Sequence, residues 1–456
     1  MDTVLFTDGS TVRFVGERYL PVSQGGAYLG GGAQGDVFLV EDTASGKRFA
    51  LKWYKSPISA EFRANLKRNV IDGAPEGSKA TFLWPLRLSK RYGKQGEYCG
   101  YLMELFDKRF VDFNAVVSGK VGFPSKEAQL GTLLDWINAF ECLHKRGQSY
   151  QDLNGGGVRF DVNNMRVTVC DNDNVAPHGT NFGMMGVTKF MAPEVTAGIF
   201  APDIYTDRFS MAVLLYMILV HAHPFEGKGL SDVGPMSDDV AARYYGCEAV
   251  FAFAPDDQSN RPDEQLEGYV YKYWNALPDY VKAEFVKTFG TISRVGMTAS
   301  QVDEQRQNRT SERTWRKVLC RWLDELVKCP HCDMGIVTTT DDETSAAPVR
   351  CPYCGKPVAD NNARLVVRRG NRPTHEVHLY KGKRLFACNV NGDADTMPFL
   401  DVLAILPDGA VSFVNLLPYD ITLDDGNTQT VPSGEAFILS HDQKLRFDDR
   451  YNAGLI

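Results

Sequence analysis

Two acids, Asp152 and Asp171, bracket the stretch of this chain best suited to chemistry, YQDLNGGGVRFDVNNMRVTVCD. Asp152 follows an apolar helical segment and opens a Gly-rich loop, where a side chain can face a cleft. Val158 and Phe160 then alternate, Asn163-Asn164 marks a turn, and Val167 and Val169 alternate into Asp171. A strand that turns and returns brings the two acids to the same end. Two carboxylates converging on a cleft suit phosphoryl transfer, one orienting an acceptor hydroxyl and the other holding Mg²⁺. Loop acids commonly just cap turns, so this reading needs the other half of a site elsewhere in the chain.

That half lies upstream. In YLGGGAQGDVFLVED, Gly30, Gly32, Gly35 and Val37 fall in the spacing GxGxxGxV. Strand alternation on both sides predicts a β-turn-β, not the strand-to-helix turn of a dinucleotide site. Glycines there let backbone amides approach phosphate oxygens without a side-chain clash; a plain hairpin is the competing reading. The next alternating strand, Phe49-Ala50-Leu51-Lys52, ends on a lysine. Beside a phosphate loop that lysine is a phosphate ligand, and without one it is an edge charge.

Taken together, these motifs resemble a eukaryotic-type (Hanks-like) Ser/Thr protein kinase of bacteria, over about residues 25–327. The resemblance implies an N-lobe at 1–106 and a C-lobe at 107–327. It makes Gly30, Gly32, Gly35 and Val37 the nucleotide loop, Lys52 the phosphate-binding lysine and Ala50 the roof over adenine. Met103 becomes the gatekeeper, and the backbone of Glu104 and Phe106 faces the base. Asp152 takes the place of the catalytic aspartate and Asp171 that of the magnesium aspartate. Ala192-Pro193-Glu194 resembles the end of an activation segment, with Arg309 as the partner of Glu194. Asp207 resembles the acid that tethers the catalytic loop.

The chain departs from the pattern in several places. Tyr150-Gln151 replace the His-Arg before the catalytic acid, Asn154 replaces a lysine, and Gly157 stands where a second metal ligand is expected. Asn172-Asp173 replace Phe-Gly, and Arg159 replaces an apolar adenine floor. The helix expected over SAEFRANLKRNVIDG buries Phe62, Leu66 and Val70 by its spacing; its other flank, with Glu61, Asn65, Asn69 and Asp72, offers Lys52 no assured acid. Asp173, two residues beyond Asp171, is a candidate replacement metal ligand. The phrases FLWPL, YQDLN, CDNDNVAP and SNRP resemble a narrower group, kinases encoded beside a PP2C-type phosphatase and a von Willebrand A-domain protein in tellurite-resistance-like clusters. The resemblance implies a Ser/Thr kinase using ATP and Mg²⁺ (or Mn²⁺) on protein substrates; the alternative is a pseudokinase scaffold.

The rest of the sequence bounds these readings. Its 456 residues, 43% hydrophobic and 23% charged, describe a globular protein of two to four domains, and the kinase resemblance implies that its fold is α+β and bilobal. A net charge of −7 argues against a general nucleic-acid binder. No secretory signal is evident, and the apolar run Phe209 to Val220 reads as a buried helix, too short for a membrane span of roughly 18 or more residues. Residues 228–280 read as a family insert, or as a solvated acidic loop. Within 328–358, Cys329, Cys332, Cys351 and Cys354 form two CPxC knuckles of a zinc ribbon; the other cysteines are scattered, as in a reducing cytoplasm. Residues 359–456 alternate as a small all-β sandwich, forkhead-associated-like or immunoglobulin-like. The loop Ala387 to Asp395 lacks the Arg and Ser of a phosphothreonine site, and Asn415 alone could contact a phosphate.

Overall fold

Strands and helices segregate along the chain. The computed structural model describes residues 3–78, 80–231, 233, 235–290, 296–338, 349–359, 363–391, 397–424 and 428–456. A seven-stranded antiparallel sheet comes first. Its order is Thr3–Leu5, Thr11–Phe14, Gly35–Asp42, Arg48–Tyr54, Gly100–Met103 and Arg87–Leu88, with Tyr28–Gly31 paired to Gly35–Asp42. The two-residue period divides the strand Arg48–Tyr54 between two cores. Phe49 and Leu51 pack with Phe38, Val40 and Leu102. Ala50 and Tyr54 pack with Tyr101, Met103 and Leu66. Lys52 shares the second face, in register with Tyr101.

Leu66 belongs to the helix Ala60–Asp72, which Ser59 caps by accepting from the Phe62 amide. The apolar spacing predicts Phe62, Leu66 and Val70 as its buried stripe. Instead Leu66 is fully buried, Phe62 and Val70 are half-buried, and Asn65 and Asn69 are fully buried. Both amides donate to the Val175 carbonyl at 2.8 Å. A buried carbonyl gives an asparagine flank a reason to face inward that hydrophobic periodicity cannot see.

The helical region is built on Ile204–Val220, opened by a capping box at Asp203 and buried nearly throughout. At 17 residues it is a core helix, and no helix among the described residues is long and apolar enough to cross a membrane. The strands Val158–Asp161 and Arg166–Val169 pair with Val158 opposite Val169, so the hairpin's open ends meet as the alternation predicts. The segment 228–280 is corrected from a solvated loop. Phe251, Phe253 and Trp274 are buried, with Phe253 stacked on Trp274 at 4.6 Å. Asn260 donates to the carbonyls of Phe225 and Val250.

The last helix of the helical region, Glu312–Glu325, runs into the hairpin Leu326–Lys328/Gly335–Val337 that carries the first cysteine knuckle. Beyond it, a six-stranded sheet in the order Arg372–His378, Arg364–Arg369, Tyr451–Leu455, Lys444–Arg446, Ile421–Asp424, Thr428–Val431 faces a four-stranded one, Arg384–Phe386, Pro398–Ile405, Val411–Asn415, Ala436–Leu439. Six and four strands exceed the seven or nine of an immunoglobulin sandwich. Asp425-Gly426, a residue pair that favours a turn, lies outside the described residues.

This sandwich is not a loose appendage. Lys383, fully buried, donates to the carbonyls of Asp324 and Leu326 at 3.2 and 3.0 Å, satisfying the end of the last helix. Asn389 donates to the Asp324 carboxylate at 2.7 Å, and Phe386 and Cys388 join the core of the helical region. Lys383→Met is expected to orphan those carbonyls and lower stability by about 2–4 kcal/mol in urea unfolding. Arg384→Ala, which removes a surface pair with Asp401, is expected to cost about 1 kcal/mol or less.

Candidate active site

The cleft between the sheet and the hairpin at Val158–Val169 gathers the acids and the lysine that the sequence singles out. Lys52 Nζ lies 3.0 Å from Asp171 Oδ1 and 3.0 Å from Asp173 Oδ1. Gln34, from the tip of the glycine-rich hairpin, places Oε1 at 3.4 Å from the same ammonium. Burial works against the charge on Lys52, but the two carboxylates outweigh it and hold its pKa above the usual lysine range.

The two aspartates have different surroundings. Asp171, in the left-handed region at φ 57°, presents a side chain 48% exposed to the cleft. Asp173 is completely buried, and both its oxygens are engaged. Lys52 and the Tyr101 hydroxyl donate to Oδ1 and the Tyr54 hydroxyl donates to Oδ2, at 3.0, 3.0 and 2.7 Å. Sequence reading missed Tyr54 and Tyr101. Their signal is register, since Tyr54 lies two residues beyond Lys52 on one strand and Tyr101 is directly opposite it.

Asp152 sits on a loop whose backbone is carried by a buried acid. Asp207 accepts from the amides of Tyr150 and Gln151 at 2.6 and 2.9 Å. Gln151 has φ 74°, a strained conformation for a residue with a side chain, and these bonds help to hold it. Asn154 donates to the Asp152 carboxylate at 2.9 Å. Burial raises the Asp152 pKa to about 6; Asn154 opposes the rise, and the charge on Asp171 adds to it. It is therefore ionised at pH 7 and close to the value a proton acceptor needs.

The neutral residues at the departures also have partners. Gln151 donates to the Thr180 carbonyl and accepts from Asn181, so an amide fastens the 180–181 segment without charge. The Tyr150 hydroxyl donates to the Cys170 carbonyl. A Cβ on Gly157 would stand 3.2 Å from that hydroxyl, a tight contact that a shift of a few tenths of an ångström in the Tyr150 hydroxyl would relieve. Glu194 and Arg309 form the expected bidentate pair, fully buried, at 2.7 and 2.8 Å.

Of the residues that the resemblance places around a base, Ala50 and Met103 are buried, Val37 is half-buried, and Glu104 pairs with Lys47 at 2.9 Å. Phe106 is exposed beneath the guanidinium of Arg159, 4.6 Å from its ring centre, and Arg159 also pairs with Asp112. Within the glycine-rich hairpin, Gly35 packs so that a Cβ would meet the Trp53 carbonyl at 2.7 Å. Gly30 and Gly32 have open space where a Cβ would be.

A second cluster lies apart from the cleft. The sulfurs of Cys329, Cys332, Cys351 and Cys354 all fall within 4.8 Å of one another, with Cys329–Cys354 at 3.8 Å and Cys332–Cys351 at 3.7 Å. A tetrahedral ion bound by thiolates at about 2.3 Å spaces them about 3.8 Å apart, so the donor set fits zinc. The Asn415 side chain, in contrast, is fully buried, donating to the carbonyls of Tyr419 and Val431. It is occupied by its own loop and unavailable to a phosphate. Residues 392–396 of the loop expected to lack a phosphate site lie outside the described residues.

Compared with known proteins, the chain matches no family model. It is 31% identical over 109 residues to the serine/threonine-protein kinase sck2 of Schizosaccharomyces pombe (strain 972 / ATCC 24843). That match covers 23% of this chain and 17% of the relative. Kinase relatedness thus rests on a partial similarity.

His144 links the loop tether to the last helix. Its ring lies 3.1 Å from Asp207 and 2.9 Å from Glu312, and these acids raise its pKa to about 9 against the effect of burial. A raised histidine pKa gives stability that is full below the unfolded value near 6.5 and is lost as pH rises through about 9. Melting wild type and His144→Gln from pH 6 to 10 is expected to show a gap between them that narrows across that window.

Proposed function

We propose that this chain is an ATP- and Mg²⁺-dependent protein kinase that transfers phosphate to Ser or Thr hydroxyls of protein substrates. The observation that carries the reading is the convergence of Lys52, Asp171 and Asp152 on one cleft beneath a glycine-rich hairpin. In this reading the amides around Gly30 and Gly32 and the ammonium of Lys52 bind the phosphates of ATP. Val37, Ala50 and Met103 form the base pocket, with Glu104 and Phe106 at its edge. Asp152, ionised and oriented by Asn154, accepts the proton of the acceptor hydroxyl. Asp171, exposed to the cleft, is the carboxylate that would hold Mg²⁺, a hard cation that prefers oxygen ligands. Bound there, the metal would neutralise phosphate charge during transfer.

Arg159 favours the second reading, a pseudokinase scaffold, because a cation, paired with Asp112, stands at the position where the resemblance implies an apolar floor for the base. Retention of all three polar groups weighs more, since phosphoryl transfer depends on positioning and electrostatics and tolerates the loss of one metal ligand. The four thiolates propose a structural zinc, and elemental analysis should find one per chain. A PP2C-type phosphatase and a von Willebrand A-domain protein are proposed partners in a cytoplasmic signalling system, testable by co-purification. The six-plus-four sandwich is proposed to be forkhead-associated-like without reading phosphothreonine.

Two outcomes test the enzymatic reading. Transfer is expected to fall as pH drops through about 6, the value at which Asp152 takes up a proton; a rate flat from pH 5 to 8 would assign the base role elsewhere. Because Gln151 fastens the segment by neutral bonds, the Thr180→Ala/Thr188→Ala double variant is expected to keep at least about a third of wild-type activity. A folded but inactive double variant would show that segment phosphorylation is required.

A further inference from the structure

We infer that Asp173 is the positioning residue for Lys52, taking over at the start of the segment a task that kinases commonly assign to an acid on the helix packed beside the sheet. This rests on the kinase reading of the same cleft. In that class of enzyme the strand lysine must be paired with a glutamate of the helix for the site to be assembled. Here both acids of the helix Ala60–Asp72 are directed elsewhere. Glu61 is exposed in the first turn, and Asp72 is exposed and 3.4 Å from Arg146. The inward positions are Asn65 and Asn69, which carry no charge.

A lysine ammonium that is almost wholly out of water needs a fixed anion. Asp171 is a poor one, because its carboxylate faces the cleft and is the group that would be drawn toward a metal. Asp173 has the properties the task requires. It is completely buried, touches Lys52 at 3.0 Å, and is held from two further directions by the hydroxyls of Tyr54 and Tyr101. Both tyrosines stand on the sheet that carries Lys52, so anchor and lysine share one rigid support. With three donors on its two oxygens, Asp173 is badly placed to ligate a metal.

The helix still contributes, at one remove. The amides of Asn65 and Asn69 grip the Val175 carbonyl, two residues beyond Asp173. In place of a charge reaching the lysine directly, two neutral bonds fix the backbone that bears the anchoring acid. The lysine's anchor and the proposed metal ligand therefore lie on one short stretch, Asp171 to Val175, and cannot be separated by movement of the helix alone.

The test is a double-mutant cycle on the full chain with Asp173→Asn, Lys52→Met and the combination, reading ATP KM, kcat, the Mg²⁺ requirement and the thermal midpoint. Asp173→Asn is expected to reduce kcat/KM for ATP at least about 30-fold while leaving the half-saturating Mg²⁺ concentration within about twofold. In the Lys52→Met background the same change should cost less than about twofold, because a residue acting through Lys52 has nothing left to act on. Glu61→Gln and Asp72→Asn should each stay within about twofold of wild type. If Asp173→Asn does not fold, Tyr101→Phe keeps the charge and deletes one donor; a several-fold rise in ATP KM supports the anchor, and no change overturns it. A raised Mg²⁺ requirement with unchanged ATP KM would make Asp173 a metal ligand, and additive losses would make it a general structural residue; either overturns the inference. A wild type that neither binds ATP nor transfers phosphate refutes the enzymatic reading separately. The melting cycle still decides the contact in that case: coupled losses support the Lys52–Asp173 pair, and additive losses refute it.

Discussion

The Asp207 carboxylate, almost entirely removed from water, is the support on which the candidate site depends. An ionised acid is tolerated in the interior only when donors surround it. Asp207 obtains two from the backbone at Tyr150 and Gln151 and a third contact from His144, which also meets Glu312. Arg208 closes the network by a two-pronged bond to Glu312. The loop bearing Asp152 is thereby tied to the central helix and, through Glu312, to the first turn of the last helix. The far end of that last helix is finished by Lys383 of the sandwich. Buried polar contacts thus hold both ends of that helix, one to the loop of Asp152 and the other to the C-terminal sheets.

A common logic runs through the departures from the kinase pattern. Gln151 fastens the segment with an amide where an arginine would bring charge, and Asn154 holds Asp152 where a lysine would reach toward phosphate. The Tyr150 hydroxyl lies close to Gly157, 3.2 Å from where a Cβ would stand. Asp173 buries an anion beside Lys52, and asparagines replace acids on the inner face of the helix. Neutral bonds are short-ranged and do not respond to phosphorylation as an arginine pocket does. These neutral bonds sit beside the charged contacts that Lys52, Asp173, His144 and Asp207 make.

Much of this was legible in the sequence where a period or a spacing carries the signal. The glycine-rich hairpin, the returning hairpin into Asp171 and the paired cysteine knuckles follow from local pattern, as does the strand carrying Lys52, although it runs on to Tyr54 instead of ending at the lysine. The burial of Asn65 and Asn69 was not legible, because amphipathic spacing scores apolar side chains and cannot anticipate a carbonyl waiting at Val175. The clamp on Asp173 was hidden for a related reason, since Tyr54 and Tyr101 reach it only through strand register. In the segment 228–280 the acidic character concealed an aromatic core around Trp274. The docking of the sandwich includes a buried lysine, Lys383, a residue type that composition assigns to the surface.

The central claim is that Asp152, Lys52 and Asp171 together perform phosphoryl transfer. Its most direct test is single-turnover transfer of label from the γ-phosphate of ATP to protein Ser or Thr, with wild type and Asp152→Ala purified and assayed side by side. The account predicts label in wild type and a loss of at least about a hundredfold in the variant, the scale of a general-base contribution, with ATP affinity retained. Equal labelling of both proteins, or none in a wild type that binds ATP tightly, would contradict it.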